Sequence, residues 1–394
     1  DEELRAGASY SAPIAGNFRQ SVQLRDLDSD GVNEALAFFG TGGEHPLRIC
    51  VYRVNDDGTY ETVSVIEGDG TGIERVYYTD MDADGFTDLI VGWSQGSGIN
   101  MLTVISLRDF VPAKLTSTDY TEFIVADLDG DKRDDLAVVR IDEATQTGAV
   151  DIYSLRANDE LFTAYAPLSS GLESISKLGV GNLSDGRVAL FLDGAYQGGT
   201  ITDIFTMDND MWSNITLDKK NNVSSSTVRA GVASYRDINT DGITEVPRPR
   251  TLPGNGEVSY RVLDWYSIDS NGKDTFILTT YHNSSDGWYL IVPTDWRGKV
   301  TAHRSDLPGE HSIIFSLWNG DSAPPDDFLT IYTLSGENRS DRAGRPGRFR
   351  LRVVDEIIYA AELLSANFGW DNEIDENYLR DNFKLIYSDW DTGL

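Results

Sequence analysis

Five times between residues 26 and 245 the chain crowds polar oxygen into a short stretch wedged between two apolar runs. The stretches begin at Asp26, Asp80, Asp127, Asn182 and Asp237, at spacings of 54, 47, 55 and 55 residues. "RDLDSDGVNEALAFF", "TDMDADGFTDLIVGW", "ADLDGDKRDDLAVVR" and "RDINTDGITEVPRPR" carry the full pattern, while "GNLSDGRVALFLDG" keeps the strands and loses the carboxylates. Each unit supplies four short β-rich segments parted by turn residues, as in "IERVYYTD", "TDLIVGW", "NMLTVISL" and "FVPAKLT", and helical periodicity is missing. A four-stranded repeat of this length is the signature of a propeller blade, whose sheet buries its faces against neighbours and leaves only short edges.

Beyond residue 283 no acidic loop follows the strand-like "DGWYLIVPTDWRGKVTAH". "HSIIFSLW", "DFLTIYTL", "RFRLRVV" and "IIYAAELL" keep strand character. In "DENYLRDNFKLIYSDW", Leu379, Phe383 and Ile386 recur at helical spacing behind Asp375, which predicts a capped helix near residues 378–386. The expected fold is mainly β: a five-bladed propeller over residues 10–283, then a small C-terminal α+β domain over 284–394. The alternative is a seven-bladed ring closed by the C-terminal strands.

The carboxylates have a defined geometry. Asp26, Asp28 and Asp30, at loop positions 1, 3 and 5, converge on one point; Gly31 at position 6 permits a sharp turn, and the Val32 carbonyl and Glu34 close an oxygen shell. The second loop offers Asp80, Asp82, Asp84, the Phe86 carbonyl and Asp88. The third offers Asp127, Asp129, Asp131, the Arg133 carbonyl and Asp135, with Asp134 alongside and Lys132 in the glycine position. The last offers Asp237, Asn239, Asp241, the Ile243 carbonyl and Glu245. Six to eight hard oxygens are what Ca²⁺ takes. Without a cation the carboxylates repel and raise one another's pKa. An EF-hand is excluded, because position 12 is Ala37, Val91 or Val138 and the flanks are strands. The unit with Asn182, Ser184 and Arg187 is expected to hold no ion. The bland alternative for every loop is an Asp/Gly turn held by side-chain-to-backbone bonds.

These loops resemble FG-GAP repeats, also called VCBS-type repeats, the Ca²⁺-loop blades of integrin α heads and of many bacterial surface proteins. The resemblance covers residues 10–283 and implies a β-propeller with calcium in its inter-strand loops. The tail "GWYLIVPTDWRGKVTAH" with "FKLIYSDW" is similar to a C-terminal α+β module of surface lipoproteins from Gram-positive gut anaerobes. Together they imply an extracellular or cell-surface-anchored protein whose signal or lipid anchor has been removed.

Other features narrow the function. A net charge of −31 opposes nucleic acid and anionic lipid as partners and favours cations. Cys50 is alone, so no intrachain disulfide forms, and no run of 18 apolar residues is present to span a membrane. His45, His282, His303 and His311 lack zinc spacing and read as structural. Asp203 and Asp264 are left over beside aromatics, which is the raw material of a sugar site or of a polar strand face. Arg339, Arg342, Arg345, Arg348, Arg350 and Arg352 form a basic stretch that reads as a solvated or ion-paired face, or as a site for an anionic polymer. Asn214, Asn222, Asn283 and Asn338 head glycosylation sequons that matter only in a eukaryotic secretory host. The expectation is a calcium-binding, non-enzymatic surface binding or adhesion module for an extracellular protein or glycan, with no catalytic residues. The alternative is a secreted carbohydrate-active enzyme with a carboxylate pair in the propeller funnel.

Overall fold

The segments after the first four of these loops are largely apolar on both faces, and a strand of that kind must be covered on both sides. Leu36 and Phe38, Leu89 to Val91, Leu136 to Val139, Ala189 to Leu192 and Val246 are all fully buried. In the computed structural model these residues sit in strands of antiparallel sheets, interior ones in every case but Val246, whose strand is first in its sheet. The model describes residues 2–5, 7–42, 45–68, 70–96, 98, 100–155, 161–231, 233–254 and 258–386.

Six sheets follow one another along the described residues. In the first, Ser9–Tyr10 and Val22–Arg25 both pair with Glu34–Gly40, followed by Leu47–Val54 and Tyr60–Gly68. The second runs Gly72–Thr79, Asp88–Ser94, Asn100–Ser106, Ala113–Tyr120, and the third Glu122–Ala126, Asp135–Asp142, Thr147–Leu155, Leu161–Pro167. The fourth runs Ser174–Asn182, Val188–Tyr196, Gly199–Asp208, Met211–Asn214. These are antiparallel meanders of the blade type. Each acidic loop leads into the buried strand of its sheet from the strand before it, Val22–Arg25 in the first sheet; in the fifth sheet a lone bridge, Arg236 to Glu245, stands in for that preceding strand.

The chain divides into two compact units, residues 1–182, 186–197 and 201–226 in one and 183–185, 198–200 and 227–394 in the other. In the first unit, Phe38, Ile49, Trp93 and Leu107 fill one apolar cluster, and Ile90, Val104, Phe123 and Leu136 another. Val139, Ile152, Leu192, Phe205 and Trp212 fill a third. Gly68 permits the close approach of Trp93, since a Cβ there would meet the indole at 2.4 Å. In the second unit, Trp288, Trp296, Phe315, Phe328, Tyr359 and Phe383 form one large cluster.

The C-terminal third departs from the sequence-based expectation. Asp274–Asn283 pairs with Trp288–Val292, which pairs in turn with Phe383–Leu385, so the fifth sheet is Glu245–Thr251, Arg261–Ile268, Asp274–Asn283, Trp288–Val292, Phe383–Leu385. The expected boundary at residues 283/284 therefore falls in the turn of a hairpin. A sixth antiparallel sheet, Val300–Leu307, Glu310–Leu317, Asp326–Leu334, Ile357–Leu363, Arg348–Val354, occupies most of what was read as an α+β domain. Five of the six sheets begin before residue 284, and the sixth begins at Val300. The helix is present but short, Glu376–Asn382, and Asp375 caps it by accepting the Tyr378 amide proton at 2.7 Å. The last part of "FKLIYSDW", from residue 387, lies outside the described residues.

Candidate metal centres in the acidic loops

The ninth residue of each intact loop is also the first residue of a buried strand, and this forces its carboxylate inside. Glu34, Asp88 and Glu245 are 0 % exposed and Asp135 is 1 % exposed. One carboxylate oxygen accepts the amide proton of loop position 2 in all four cases: Leu27 N to Glu34 at 2.9 Å, Met81 N to Asp88 at 2.7 Å, Leu128 N to Asp135 at 2.7 Å and Ile238 N to Glu245 at 3.0 Å. The other oxygen of Glu34, Asp88 and Glu245 is buried with no hydrogen-bond partner, as are Oδ1 of Asp26 and Oδ1 of Asp82. An ionised oxygen buried without a partner is expensive.

The rest of the frame repeats as closely. Position 1 accepts the amide proton of position 6: Gly31 to Asp26 and Gly85 to Asp80 at 3.0 Å, Lys132 to Asp127 at 3.0 Å, Gly242 to Asp237 at 2.8 Å. Position 5 accepts from position 7: Val32 to Asp30 at 2.7 Å, and Phe86 to Asp84, Arg133 to Asp131 and Ile243 to Asp241 each at 2.8 Å. Positions 4 and 6 both take left-handed backbone. Three loops put glycine at position 6, whereas the third puts Gly130 at position 4 (φ 83°) and tolerates Lys132 at φ 74°. Lys132 therefore leaves the loop geometry intact.

Folded this way, positions 1, 3 and 9 meet. A ligand atom from each of Asp26, Asp28 and Glu34 lies within 4.8 Å of the others, and the same holds for Asp80, Asp82, Asp88 and for Asp127, Asp129, Asp135. In the fourth intact loop Asn239 replaces the position-3 carboxylate and donates to Asp241 at 2.8 Å. The position-5 aspartates lie outside these triads and two carry a guanidinium: Arg108 Nε is 2.6 Å from Asp84 and Arg133 Nε is 3.3 Å from Asp131. Nothing in the sequence pointed to Arg108, which reaches loop two from the turn between the third and fourth strands, at the same end of the sheet.

Burial, and then the neighbouring carboxylates, push the position-9 acids up: Asp88 to about 7, Glu245 to about 7 and Asp135 to about 6, with Glu34 raised as well. Burial also raises Asp82, helped by Asp84 and Asp80. All-oxygen, acidic donors with buried unpartnered lone pairs fit a hard divalent cation; the triads contain no thiolate or imidazole that would favour a softer metal.

The fifth turn is built differently. Asn182 pairs directly with Val188, leaving five residues, 183–187, where the intact loops have eight. Position 9 has gone, not merely changed. Asp185 instead accepts the Ser270 amide proton at 3.3 Å.

The remaining candidates are structural. Asp203 is fully buried and accepts from Ser169 N and Oγ, both at 2.7 Å, and from Ser224 Oγ at 2.5 Å. Asp264 is pushed up by burial, but Arg250 at 2.7 and 3.0 Å and Thr279 at 2.7 Å outweigh this and hold it low. His282 stacks on Tyr289 and is driven down to about 3 by burial. His311 bonds Asp286 at 2.8 Å. Cys50 is buried and its thiol is pushed up by burial. In the basic stretch Arg339 pairs with Glu356, while Arg348 pairs with Glu310 and lies 3.6 Å over the Tyr332 ring. An open cleft of about 830 Å³ lies between the second and third sheets, with Asn100, Asp119, Tyr120, Arg140, Asp142 and Glu143 in its wall. Sequence reasoning missed it, because its residues lie far apart on hairpins without a motif. No helix among the described residues is long and apolar enough to cross a membrane.

No family model matches the chain, and no curated protein matches it. Among solved structures it is similar to the periplasmic gluconolactonase PpgL of Pseudomonas aeruginosa, at 14 % identity over 84 % of this chain and 96 % of that one, TM-score 0.31. It is also similar to an exo-β-1,3-galactanase of Phanerochaete chrysosporium, determined with galactose, at 12 % identity over 91 % of this chain and 89 % of that one, TM-score 0.28. Both are enzymes, and on that finding the expectation of a non-enzymatic binding or adhesion module is withdrawn. At this identity and superposition neither assigns an activity or a catalytic residue to this chain.

Proposed function

We propose that the protein is a calcium-stabilised blade-repeat protein of the FG-GAP or VCBS type, with one Ca²⁺ in each of the loops that begin at Asp26, Asp80, Asp127 and Asp237. The observation that carries the reading is the set of buried, unpartnered carboxylate oxygens at Glu34, Asp88 and Glu245. Positions 1, 3 and 9 would supply side-chain oxygens, with positions 5 and 7 completing the shell. Ca²⁺ suits this irregular set better than Mg²⁺, which demands a stricter octahedron and keeps its waters. Sites of this kind are filled where calcium is abundant, which supports a location outside the cytoplasm for this protein. Native mass spectrometry across a calcium titration tests the reading: four ions are expected, and none bound at millimolar calcium would overturn it.

A second reading is favoured by the cleft of about 830 Å³. Its carboxylates Asp119, Asp142 and Glu143 and the Tyr120 ring are the kinds of groups a glycan-processing site uses. On this reading the protein is a carbohydrate-active enzyme whose calcium loops hold the scaffold. Turnover of a nitrophenyl-glycoside panel that is lost in Asp142→Asn and Glu143→Gln supports it; no turnover by the wild-type protein removes it.

A further inference from the structure

Loops one and two are not independent. Thr87 N donates to the Leu27 carbonyl at 2.8 Å, Ser29 Oγ donates to the Gly85 carbonyl at 3.2 Å, and Thr87 Oγ1 lies 3.4 Å from the Asp26 carbonyl. Leu27 is the joint. Its amide proton goes to Glu34 of its own loop, while its carbonyl receives the amide of Thr87, the residue immediately before Asp88. The Leu27 backbone therefore links the buried Glu34 carboxylate to the residue that precedes Asp88 through two hydrogen bonds. A third loop is tied in more loosely, by Thr79 Oγ1 donating to Asp134 at 2.8 Å.

We infer that loops one and two take up their cations as a coupled pair, with Ser29 and Thr87 as positioning residues that hold each loop in the shape the other requires. This rests on the calcium reading above. A cation drawn to Glu34 fixes that carboxylate, which fixes the Leu27 peptide and so the entry of Asp88 into its own triad. A frame ordered once lowers the ordering needed for the second ion. Glu245 of the last intact loop lies outside this hydrogen-bonded chain and serves as the control.

The test is calcium uptake by the full chain, read as ions bound by native mass spectrometry and as stepwise affinities by chelator competition. Asp88→Asn is expected to weaken a second site about tenfold, within the 5–150-fold range typical of coupled sites. At intermediate calcium it then sheds two ions where Glu245→Gln sheds one. Ser29→Ala combined with Thr87→Val keeps every ligand carboxylate; it should bind the same number of ions at saturation with cooperativity reduced, and this arm decides the matter if Asp88→Asn fails to fold. Loss of a single ion from Asp88→Asn, the other affinities staying within twofold, overturns the coupling and leaves the calcium reading standing. So does unchanged cooperativity in the double variant. A wild-type protein that takes up no calcium overturns both.

Discussion

Glu34 and Leu27 close the first loop across seven residues: one oxygen of the carboxylate takes the Leu27 amide proton at 2.9 Å, and the other is left buried without a partner. Glu34→Gln keeps the shape and removes the charge. In chelator the variant should match or exceed the wild-type melting temperature, because a buried charge has been deleted. In calcium the order should reverse, by about 2.7 kcal/mol when free calcium is a hundred times Kd. Thermal melts in both conditions check the sign change.

Chelation itself should act in a pH-dependent way. In the cation-free protein Asp88, Glu245 and Asp135 hold protons up to about 7, 7 and 6. Their folded values lie above the unfolded ones, so their contribution is complete below about pH 4 and lost as the pH climbs through 6 to 7. Calcium displaces those protons. EDTA should therefore lower the melting temperature more at pH 8 than at pH 5, and equal drops at both would contradict the assignment.

Arg108 places a positive charge 2.6 Å from Asp84, on a side chain that is 63 % exposed. Arg108→Gln should tighten calcium at the second loop by roughly two- to fivefold, the modest size expected of an exposed pair. The gain should fade in high salt. Chelator competition at two ionic strengths measures it.

Asp82 and Asp185 are both loop aspartates, but only Asp82 belongs to a triad. Asp82→Ala should abolish one ion and the stabilisation that goes with it. Asp185→Ala should bind the full complement and change stability by about 0.5 kcal/mol or less, as surface substitutions usually do. A matching ion loss in both variants would show that the short turn had been misread.

Trp288 is fully buried between Tyr281 and Phe383 and begins the strand that joins the hairpin to Phe383–Leu385. Trp288→Ala should cost about 3–5 kcal/mol. Protease nicking at residues 284–287 should give fragments that stay together on gel filtration, because the cut leaves the paired strands on either side in one sheet. Release of a free C-terminal domain would restore the boundary at residue 283.

The acidic loops were legible because their chemistry is local: nine residues contain the turn, the ligands and the strand start. The helix cap at Asp375 was legible for the same reason. The pairing of Trp288–Val292 with Phe383–Leu385 was not, since about ninety residues separate the partners and a three-residue strand carries no periodic signal of its own. The sixth sheet was misread because its strands lack the acidic loop that had served as the marker of a blade. At the sites, positions 1, 3 and 9 followed from spacing. The arginine on Asp84 and the Leu27–Thr87 bond could not, being made by residues that meet only after the sheets have formed.

The five-residue turn at 183–187 closes the first hairpin of its sheet without the buried ninth-position carboxylate of the other loops. It is a natural replacement part. Grafted in place of residues 26–33 or 80–87, it would preserve the strand pairing while removing the demand for a dissolved ion. A chain refitted in this way at every acidic loop would keep its architecture in chelator, and any activity it then lost would be one in which the ion itself takes part.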